Sequence, residues 1–322
     1  MARLTRRTVL LGTLAMPAIA RAQTWPSGTI TLVVPYTAGG SNDVMARLVQ
    51  PELQRRLGVN VIVENRPGGG TSIGAAVVAK APRDGSKWLI NADPQALNPS
   101  LMQTMPYQPG EIDPLLLIGT SPNVIATHAK KPYRTLADVI AAAKTNPAGD
   151  LVYGVIAETI GHVALLLLAK RAGVKFTPVT YRGGAQVVTD AVGGHVEIIT
   201  GSAALIMPHV EAGTLRAIAQ MGPTRHPAMR DVPTVAESGF ADFSAVSFWG
   251  WFAPSGTPQP ILQRFEAELR AAFSQDEVKA KLSGPFMMEL PLAGPAAFAP
   301  FFEAQVKTWG AVIRENGIRS SG

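Results

Sequence analysis

The chain has 322 residues, of which 47% are hydrophobic and none is cysteine. This length and apolar content predict a large core and favour two α/β domains, and the missing cysteine excludes disulfides, thiol catalysis and cysteine-ligated metals. The formal charge is +6, but residues 1–22 hold four arginines and no acid, so the remainder has 25 basic and 23 acidic residues, a net +2. Because the remaining Lys and Arg are scattered, nucleic acid is not expected as a partner.

The N-terminus reads as an export signal. Arg3, Arg6 and Arg7 precede an apolar stretch, Val9–Ile19, that is too short to span a bilayer, and Ala20-Arg21-Ala22 has the small-x-small form of a cleavage site. We therefore expect a signal peptide over residues 1–22, cleaved near Ala22, and a periplasmic mature protein. Paired arginines occur in twin-arginine and in general secretory signals, so both export routes stay open.

Two glycine loops follow, each between an apolar strand and a helix, over residues 30–48 and 61–79. Such a turn leaves unpaired backbone N–H groups at the positive end of a helix dipole, which favours an anion. Gly39-Gly40 also suits a tight turn without ligand, with Asp43 or Ser41 capping the helix. Residues 68–74 match neither phosphate-loop spacing, so no nucleotide is expected. The five histidines show no paired spacing, so no metal site or other cofactor is predicted.

Apolar runs alternate with helical patterns along the chain, as in βαβ units. The predicted strands are Ile30–Val34, Val59–Val63, Trp88–Asn91, Leu115–Gly119, Asn123–Thr127, Leu151–Val155, Phe176–Thr180, Val196–Thr200, Leu215–Ala219 and an apolar strand within residues 243–254. The predicted helices are Asn42–Leu57, one from Thr135 to Asn146-Pro147, Ile160–Ala172, Gln186–Val192, Pro260–Phe273, Gln275–Leu282 and Ala296–Glu315.

The first of these helices is amphipathic. Its expected buried face is Val44, Leu48, Leu53 and Leu57, Gly58 is the expected stop, and Pro51 is expected to kink or divide it.

The last three helices have no strands of their own to cover. We therefore expect them to pack on the first sheet, which gives a discontinuous domain one (23–122 plus 248–322) and a domain two (123–247). Residues 121–127 and 245–252 are then crossover hinges. Ligands of open α/β folds bind outside the carboxyl ends of the strands, so the predicted site is the interdomain cleft.

The chain resembles the Bordetella uptake gene (Bug) family, the extracytoplasmic receptors of tripartite tricarboxylate transporters. The resemblance covers essentially all of the mature chain and rests on the order and spacing of many short motifs. These are Val34-Pro35-Tyr36, Gly39-Gly40-x-x-Asp43-x-x-Ala46-Arg47, Val63-Glu64-Asn65-Arg66-Pro67-Gly68-x-Gly70, Ile73-Gly74-Ala75, Ala81-x-x-Asp84-Gly85, Tyr181-Arg182-Gly183-Gly184, Asp190-x-x-Gly193-Gly194, Gly213-x-Leu215-Arg216, Val232-Pro233-Thr234-x-x-Glu237 and Ala253-Pro254-x-Gly256-Thr257-Pro258.

The resemblance implies a two-domain α/β periplasmic binding protein fold, type II-like, with two crossover hinge segments and an interdomain ligand cleft. It implies a small carboxylate held mainly by backbone groups and water. The site residues it implies in domain one are Tyr36, Thr37, Ala38, Gly39, Gly40, Ser41, Asn42, Asp43, Gly69, Gly70, Thr71, Ser72, Asn91 and Asp93. Those in domain two are Val155, Ile156, Ala157, Glu158, Thr159, Tyr181, Gly201, Ser202 and Ala203.

One loop departs from the family pattern. Residues 154–162 read GVIAETIGH where the family usually has a Ser/Gly-rich turn, so Val155 and Ile156 remove donors. Glu158 would repel a second ligand carboxylate or pair with a ligand amine. This loop therefore weakens an assignment to a tricarboxylate, and an apolar, aromatic or amino-bearing monocarboxylate fits at least as well. The expected ligand is a mono- or dicarboxylate.

The preferred function is a non-enzymatic receptor that captures a small organic carboxylate by hinge closure and delivers it to membrane transporter subunits. The alternatives are an exported sensor of the same fold that feeds a signalling partner, and a periplasmic hydrolase or transferase. No G-x-S-x-G or S-x-x-K motif supports a serine nucleophile.

Overall fold

The computed structural model describes residues 25–145, 151–181 and 183–319. The predicted signal peptide, the predicted helix stop at Asn146-Pro147 and Arg182 lie outside these ranges. The strands are β1 (Ile30–Val34), β2 (Val61–Asn65), β3 (Lys87–Ala92), β4 (Ile112–His128), β5 (Leu151–Ile156), β6 (Phe176–Tyr181), β7 (Ile198–Ser202), β8 (Leu215–Gln220) and β9 (Val246–Pro254). The α-helices are α1 (Ser41–Leu57), α2 (Ser72–Ala79), α3 (Pro94–Leu101), α4 (Leu136–Thr145), α5 (Ile160–Ala172), α6 (Gly184–Val192), α7 (Ala203–Glu211), α8 (Gln259–Phe273), α9 (Asp276–Ser283) and α10 (Pro295–Glu315).

The strands of the described chain join in the order β2-β1-β3-β9-β4-β7-β5-β6, with β8 paired to β4. β1, β2 and β3 are parallel, so their carboxyl ends share one edge, and the same holds for β5, β6 and β7. β4 pairs with β9 as far as Pro122 and with β7 from Asn123. We call β1–β3, β9 and β4 up to Pro122 the first lobe, and β5–β8 with the rest of β4 the second lobe.

Aromatic packing fixes two C-terminal helices against the first lobe. Phe265 of α8 stacks on Trp88 of β3 with ring centroids 3.9 Å apart. Phe298 of α10 lies 5.3 Å from Phe252 of β9, and α10 also packs on α3 and α5. The aromatic residues of β9 are therefore core residues.

The buried face of α1 differs in part from the prediction. Met45 and Val49 are fully buried with Leu53, whereas Val44 and Leu48 are only partly buried. The side chains of neighbouring helix residues point about 100° apart around the helix axis. An apolar repeat that is read one residue out of register therefore assigns the wrong face of the helix to the core. Gly58 ends the helix in the left-handed conformation, φ +69°, as predicted.

The elements differ from the sequence-based expectations in three other respects. The two strands predicted over residues 115–127 are one strand of 17 residues, because β4 continues through Pro122 by exchanging its partner. α1 is not divided at Pro51 but continues through it as one helix. α3 and α7 were not predicted, and both are short and contain an internal proline.

Across the described ranges, no helix has the length and apolarity required to span a membrane.

Candidate ligand-binding cleft

The first glycine loop is organised by Asp43. Its Oδ2 accepts from the backbone N–H of Gly39 at 2.9 Å, and its Oδ1 accepts from Asn65 Nδ2 at 2.9 Å. Arg47 pairs with the same carboxylate at 3.0 Å. Burial acts to raise the pKa of Asp43, but the hydrogen bonds from Arg47, Gly39 and Asn65 outweigh it and lower the pKa. The carboxylate therefore holds the loop against α1 and β2.

The rest of this loop reaches two different environments. Thr37 and Ala38 form its exposed tip, whereas Ser41 Oγ accepts from Trp249 Nε1 of β9 at 3.2 Å. Asn42 is 3% exposed, and its Oδ1 has no hydrogen-bond partner among the described residues.

The second glycine loop has three consecutive glycines with positive φ. These are Gly68, Gly69 and Gly70, at φ +123°, +52° and +53°, a geometry that an L-residue adopts only at a cost. Asn98 Nδ2 donates to the carbonyl of Gly70 at 2.7 Å, and Thr71 Oγ1 accepts from Asn91 Nδ2 at 3.2 Å. Buried amides of the first lobe therefore fix this loop just before α2 begins at Ser72.

Tyr36 links the first loop to the end of β3. Its hydroxyl donates to Asn91 Oδ1 at 3.3 Å, and Asn91 also donates to Gln95 at 2.9 Å. Burial raises the pKa of Tyr36 well above its usual value, and the carboxylates of Asp93 and Glu158 act in the same direction. Tyr36 is therefore a neutral hydroxyl in a site that contains two carboxylates.

Asp93 joins the two lobes. It is 3% exposed, its Oδ1 accepts from Phe248 N at 2.9 Å, and its Oδ2 accepts from Ser247 Oγ at 2.9 Å. The Oδ2 also accepts from the backbone N–H of Ile160 at 3.2 Å, at the first turn of α5 in the second lobe. Burial raises the pKa of Asp93 to about 6, although these hydrogen bonds oppose the shift. This carboxylate therefore contacts the first lobe, a crossover strand and the second lobe.

The turn between β5 and α5 forms the facing lip of the cleft. Thr159 Oγ1 donates to the carbonyl of Ile156 at 2.9 Å and accepts from His162 N at 3.4 Å, which caps α5. Glu158 has φ +61° and is 7% exposed. A Cβ placed on Gly70 would lie 1.4 Å from Glu158 Oε2, so the Glu158 side chain lies directly against the second glycine loop. The two lips are in contact.

The remaining predicted residues of the second lobe lie around this lip. Val155 is buried within β5 and Ala157 precedes Glu158 in the turn. The hydroxyl of Tyr181 donates to Asp190 of α6 at 2.5 Å, and burial, aided by Asp190, raises the pKa of Tyr181 to about 12. Gly201, Ser202 and Ala203 mark the carboxyl end of β7, where Ser202 is the backbone partner of Asn123 in β4.

Sequence reasoning missed several residues that support the cleft. Asn123 Nδ2 donates to Ser247 Oγ at 3.1 Å, which extends the Asp93 network across both crossover strands. Gly183 faces the first loop, since an added Cβ would lie 3.8 Å from Thr37 Oγ1. A serine inside the apolar run of β9 was the available signal, because a buried hydroxyl needs a partner. The described residues contain no group of three acidic or histidine side chains suited to a metal ion.

The glycine loops lie at one strand edge and face a second strand edge across two crossover strands. This is the architecture of a two-lobed solute-binding protein of α/β fold. Two solved structures match this fold over nearly the whole chain. "R. palustris Rpa4515 with adipate" has a TM-score of 0.85 and 32% identity, covering 92% of this chain and 99% of that one. MatC from Rhodopseudomonas palustris with bound malate has a TM-score of 0.82 and 26% identity, covering 90% and 100%.

Sequence comparison gives the family. The model of the tripartite tricarboxylate transporter family receptor matches residues 45–318. Protein BugT of Bordetella pertussis is 30% identical over 315 residues, which cover 97% of this chain and 96% of that protein. The chain belongs to the tripartite tricarboxylate transporter receptor family, and the resemblance drawn from its motifs is confirmed.

Proposed function

We propose that this protein is a periplasmic receptor that captures a small organic carboxylate between its lobes and delivers it to membrane transporter subunits, without chemistry on the ligand. The observation that carries the proposal is the pair of glycine loops at the ends of adjacent parallel strands, facing the turn before α5. Family membership as a receptor supports it, as do the relatives whose structures hold adipate and malate.

Backbone groups supply the binding energy in this proposal. The first loop and the start of α1 present N–H donors at the positive end of a helix dipole, a favourable place for a carboxylate. Charge-assisted hydrogen bonds strengthen as the cleft closes and water leaves. A dissociation constant near 1 μM, about 8 kcal/mol, is expected for a small ligand of this kind.

Closure moves domain one (23–122 plus 248–322) against domain two (123–247). The exchange of β4 partners between Pro122 and Asn123 supports a hinge there, because the backbone hydrogen bonds of each lobe end at that point. Asn123 Nδ2 also donates to the carbonyl of Ala245 at 3.1 Å. This hydrogen bond links the two crossover strands, so they move together during closure. A signal peptide over residues 1–22 brings the protein to the periplasm.

A screen of mono-, di- and tricarboxylates by thermal shift tests the proposal. A ligand that binds only the folded protein raises the melting temperature, by linkage, and calorimetry then gives the dissociation constant. We expect at least one carboxylate to bind in the micromolar range. If no carboxylate shifts the melting temperature and another ligand class does, the proposal is wrong.

Substitution of Gly40 by valine tests whether the ligand contacts the first glycine loop. Gly40 has φ −73°, and an added Cβ would lie 3.6 Å from its nearest neighbour, the carbonyl of Thr37, so the loop accepts a side chain. We expect Gly40→Val to fold and to lose most ligand affinity. Gly110→Val is the control, because Gly110 has open space around it on a surface turn. Unchanged affinity in Gly40→Val would remove this loop from the site.

A further inference from the structure

The side chain of Asp93 caps a helix of the opposite lobe. Asp93 occupies the N-cap position of α3, where an aspartate ordinarily accepts a hydrogen bond from its own helix. In the described structure it makes no such bond to α3. Its Oδ2 instead accepts from the backbone N–H of Ile160, at the start of α5, at 3.2 Å. The first lobe therefore supplies the acceptor for an N–H group of the second lobe.

The first turn of α5 needs such an acceptor, because the first N–H groups of a helix have no partner within the helix. The side chain of Thr159 accepts from His162 N, and the Asp93 carboxylate accepts from Ile160 N. The second bond places a negative charge at the positive end of a helix of 13 residues, which is a favourable, charge-assisted contact. Because residues 157–159 lead directly into α5, this bond also fixes the lip of the cleft that they form.

Groups on β9 hold the Asp93 carboxylate in position. Its Oδ1 accepts from Phe248 N and its Oδ2 accepts from Ser247 Oγ, both at 2.9 Å. Ser247 Oγ in turn accepts from Asn123 Nδ2 at 3.1 Å. β9 pairs with β3 up to Ala92, the residue before Asp93, so Phe248 and Ser247 stay with Asp93 when the lobes separate. The carboxylate is therefore already oriented toward α5 before the lobes meet.

The start of α5 also packs closely on the strands of its own lobe. A Cβ added to Gly161 would lie 2.9 Å from Asn123 Oδ1 and 3.3 Å from Thr200 Oγ1. A larger side chain at this position would push the start of the helix away from β4 and β7. Glycine at position 161 therefore permits the approach that brings Ile160 N to Asp93.

The contacts of Asp93 favour an indirect role in ligand binding. Its two carboxylate oxygens accept from three donors of the protein, and the residue is 3% exposed. A carboxylate ligand placed beside it would meet like charge. Asp93 therefore acts on ligand binding through the position of the lobes rather than through contact with the ligand.

We propose that Asp93 is a positioning residue whose hydrogen bond with the N–H of Ile160 holds the cleft closed and so determines how long the ligand is retained. Opening of the cleft separates Asp93 from Ile160 and breaks this bond, whereas the bonds to Phe248 and Ser247 persist. The ligand enters before closure, so the bond slows release and leaves association unchanged. This inference rests on the proposed function, because it assumes that closure of the lobes captures a carboxylate.

Proline at position 160 removes the donor and is compatible with the helix. Ile160 is the first residue of α5, a position that favours proline, and Thr159 before it is extended (φ −100°, ψ 161°), as the residue before a proline prefers. Ile160→Val is the matched control, because valine keeps the N–H group and has a side chain of similar volume to that of proline. Stopped-flow tryptophan fluorescence follows ligand release, and Trp249 is the expected reporter because its indole N–H donates to Ser41 of the first glycine loop.

The probe is adipate or malate or, if neither binds, the carboxylate with the largest thermal shift in the screen described above. We expect Ile160→Pro to release the probe at least about 10-fold faster than Ile160→Val, because a hydrogen bond to a charged group is lost. The association rates of the two variants should agree within about 2-fold. Asp93→Asn should also release the probe faster than the wild type. Because the two residues act through one bond, the double variant Asp93→Asn/Ile160→Pro should exceed the faster single variant by no more than about 2-fold.

Equal release rates for Ile160→Pro and Ile160→Val would overturn the inference and leave the proposed function intact. A double variant whose effect is the product of the two single effects would overturn it as well. If Asp93 only stabilises the fold, Asp93→Asn lowers the binding stoichiometry in calorimetry without changing the release rate, which also counts against the inference. If no carboxylate binds the wild type, the proposed function fails and this inference fails with it. If Ile160→Pro does not fold, Asp93→Asn is compared with the wild type and has to meet the same expectations for release and association.

Discussion

Replacing Gly70 by alanine tests the contact between the two lips of the cleft. The added Cβ would lie 1.4 Å from Glu158 Oε2, and ordinary van der Waals contact begins at 3.4 Å. The carboxylate therefore has to retreat by about 2 Å before the lips meet. The left-handed backbone at φ +53° adds a separate cost of about 1 to 2 kcal/mol for any L-residue.

These two costs act on different equilibria. Backbone strain is present in the open and the closed protein alike, so it lowers the free energy of unfolding without changing closure. The collision with Glu158 exists only when the lips meet, and overpacking of this kind costs about 1 to 3 kcal/mol. Because closure accompanies binding, the dissociation constant for a plain monocarboxylate should rise about 5- to 150-fold.

Isothermal titration calorimetry of the purified variants measures this effect. Gly58→Ala is the matched control, because Gly58 has φ +69° and no atom within 4 Å of an added Cβ, so it carries the strain without the collision. Adding Glu158→Ala to Gly70→Ala should restore at least half of the lost binding free energy. Equal affinities for Gly70→Ala and Gly58→Ala, or no recovery in the double variant, would refute the reasoning.

Three further predictions concern stability. Burial raises the pKa of Asp93 to about 6, so the folded protein holds a proton that the unfolded chain has released. The wild type should therefore gain about 2 kcal/mol relative to Asp93→Asn as the pH falls from 7 to 4 in urea unfolding. A difference that does not change with pH would contradict this. The pKa of Asp43 is lowered, so the cost of Asp43→Asn, about 2 kcal/mol at pH 7, should shrink as the pH falls below about 4; a constant cost in the same assay argues against it. Phe265→Ala removes the ring stacked on Trp88 and should cost about 3 to 5 kcal/mol while leaving ligand affinity per folded molecule unchanged; thermal unfolding and calorimetry check both statements.

Local signals determined how much of the fold the sequence predicted. The bounds of α5 were predicted correctly because Thr159 caps its start and Gly173 ends it at φ +63°. β4 was predicted as two strands because Pro122 and Asn123 carry a turn signal, while the partner exchange that keeps the strand continuous is tertiary. The intrinsic strand propensity of a residue is a weak guide where pairing with neighbouring strands determines its secondary structure.

In the cleft, too, some features follow from local sequence signals and others depend on tertiary contacts. The order of strands and glycine loops was sufficient to predict a cleft where the parallel strands end, because parallel strands end on one side. The individual cleft residues were named only through the family resemblance. The network of Asp93, Ser247 and Asn123 was not predictable, since Asp93 and Ser247 are 154 positions apart and each looks like an ordinary polar residue locally. The position of Glu158 against Gly70 also depends on how the lobes meet, which no single segment encodes.

A crystal structure of the protein with its tightest carboxylate tests the central claim most directly. We expect the ligand between the lobes, with carboxylate oxygens about 2.7 to 3.2 Å from backbone nitrogen atoms of the loop from Thr37 to Ser41. A ligand bound outside the cleft, or one whose carboxylate contacts neither glycine loop, would contradict the account.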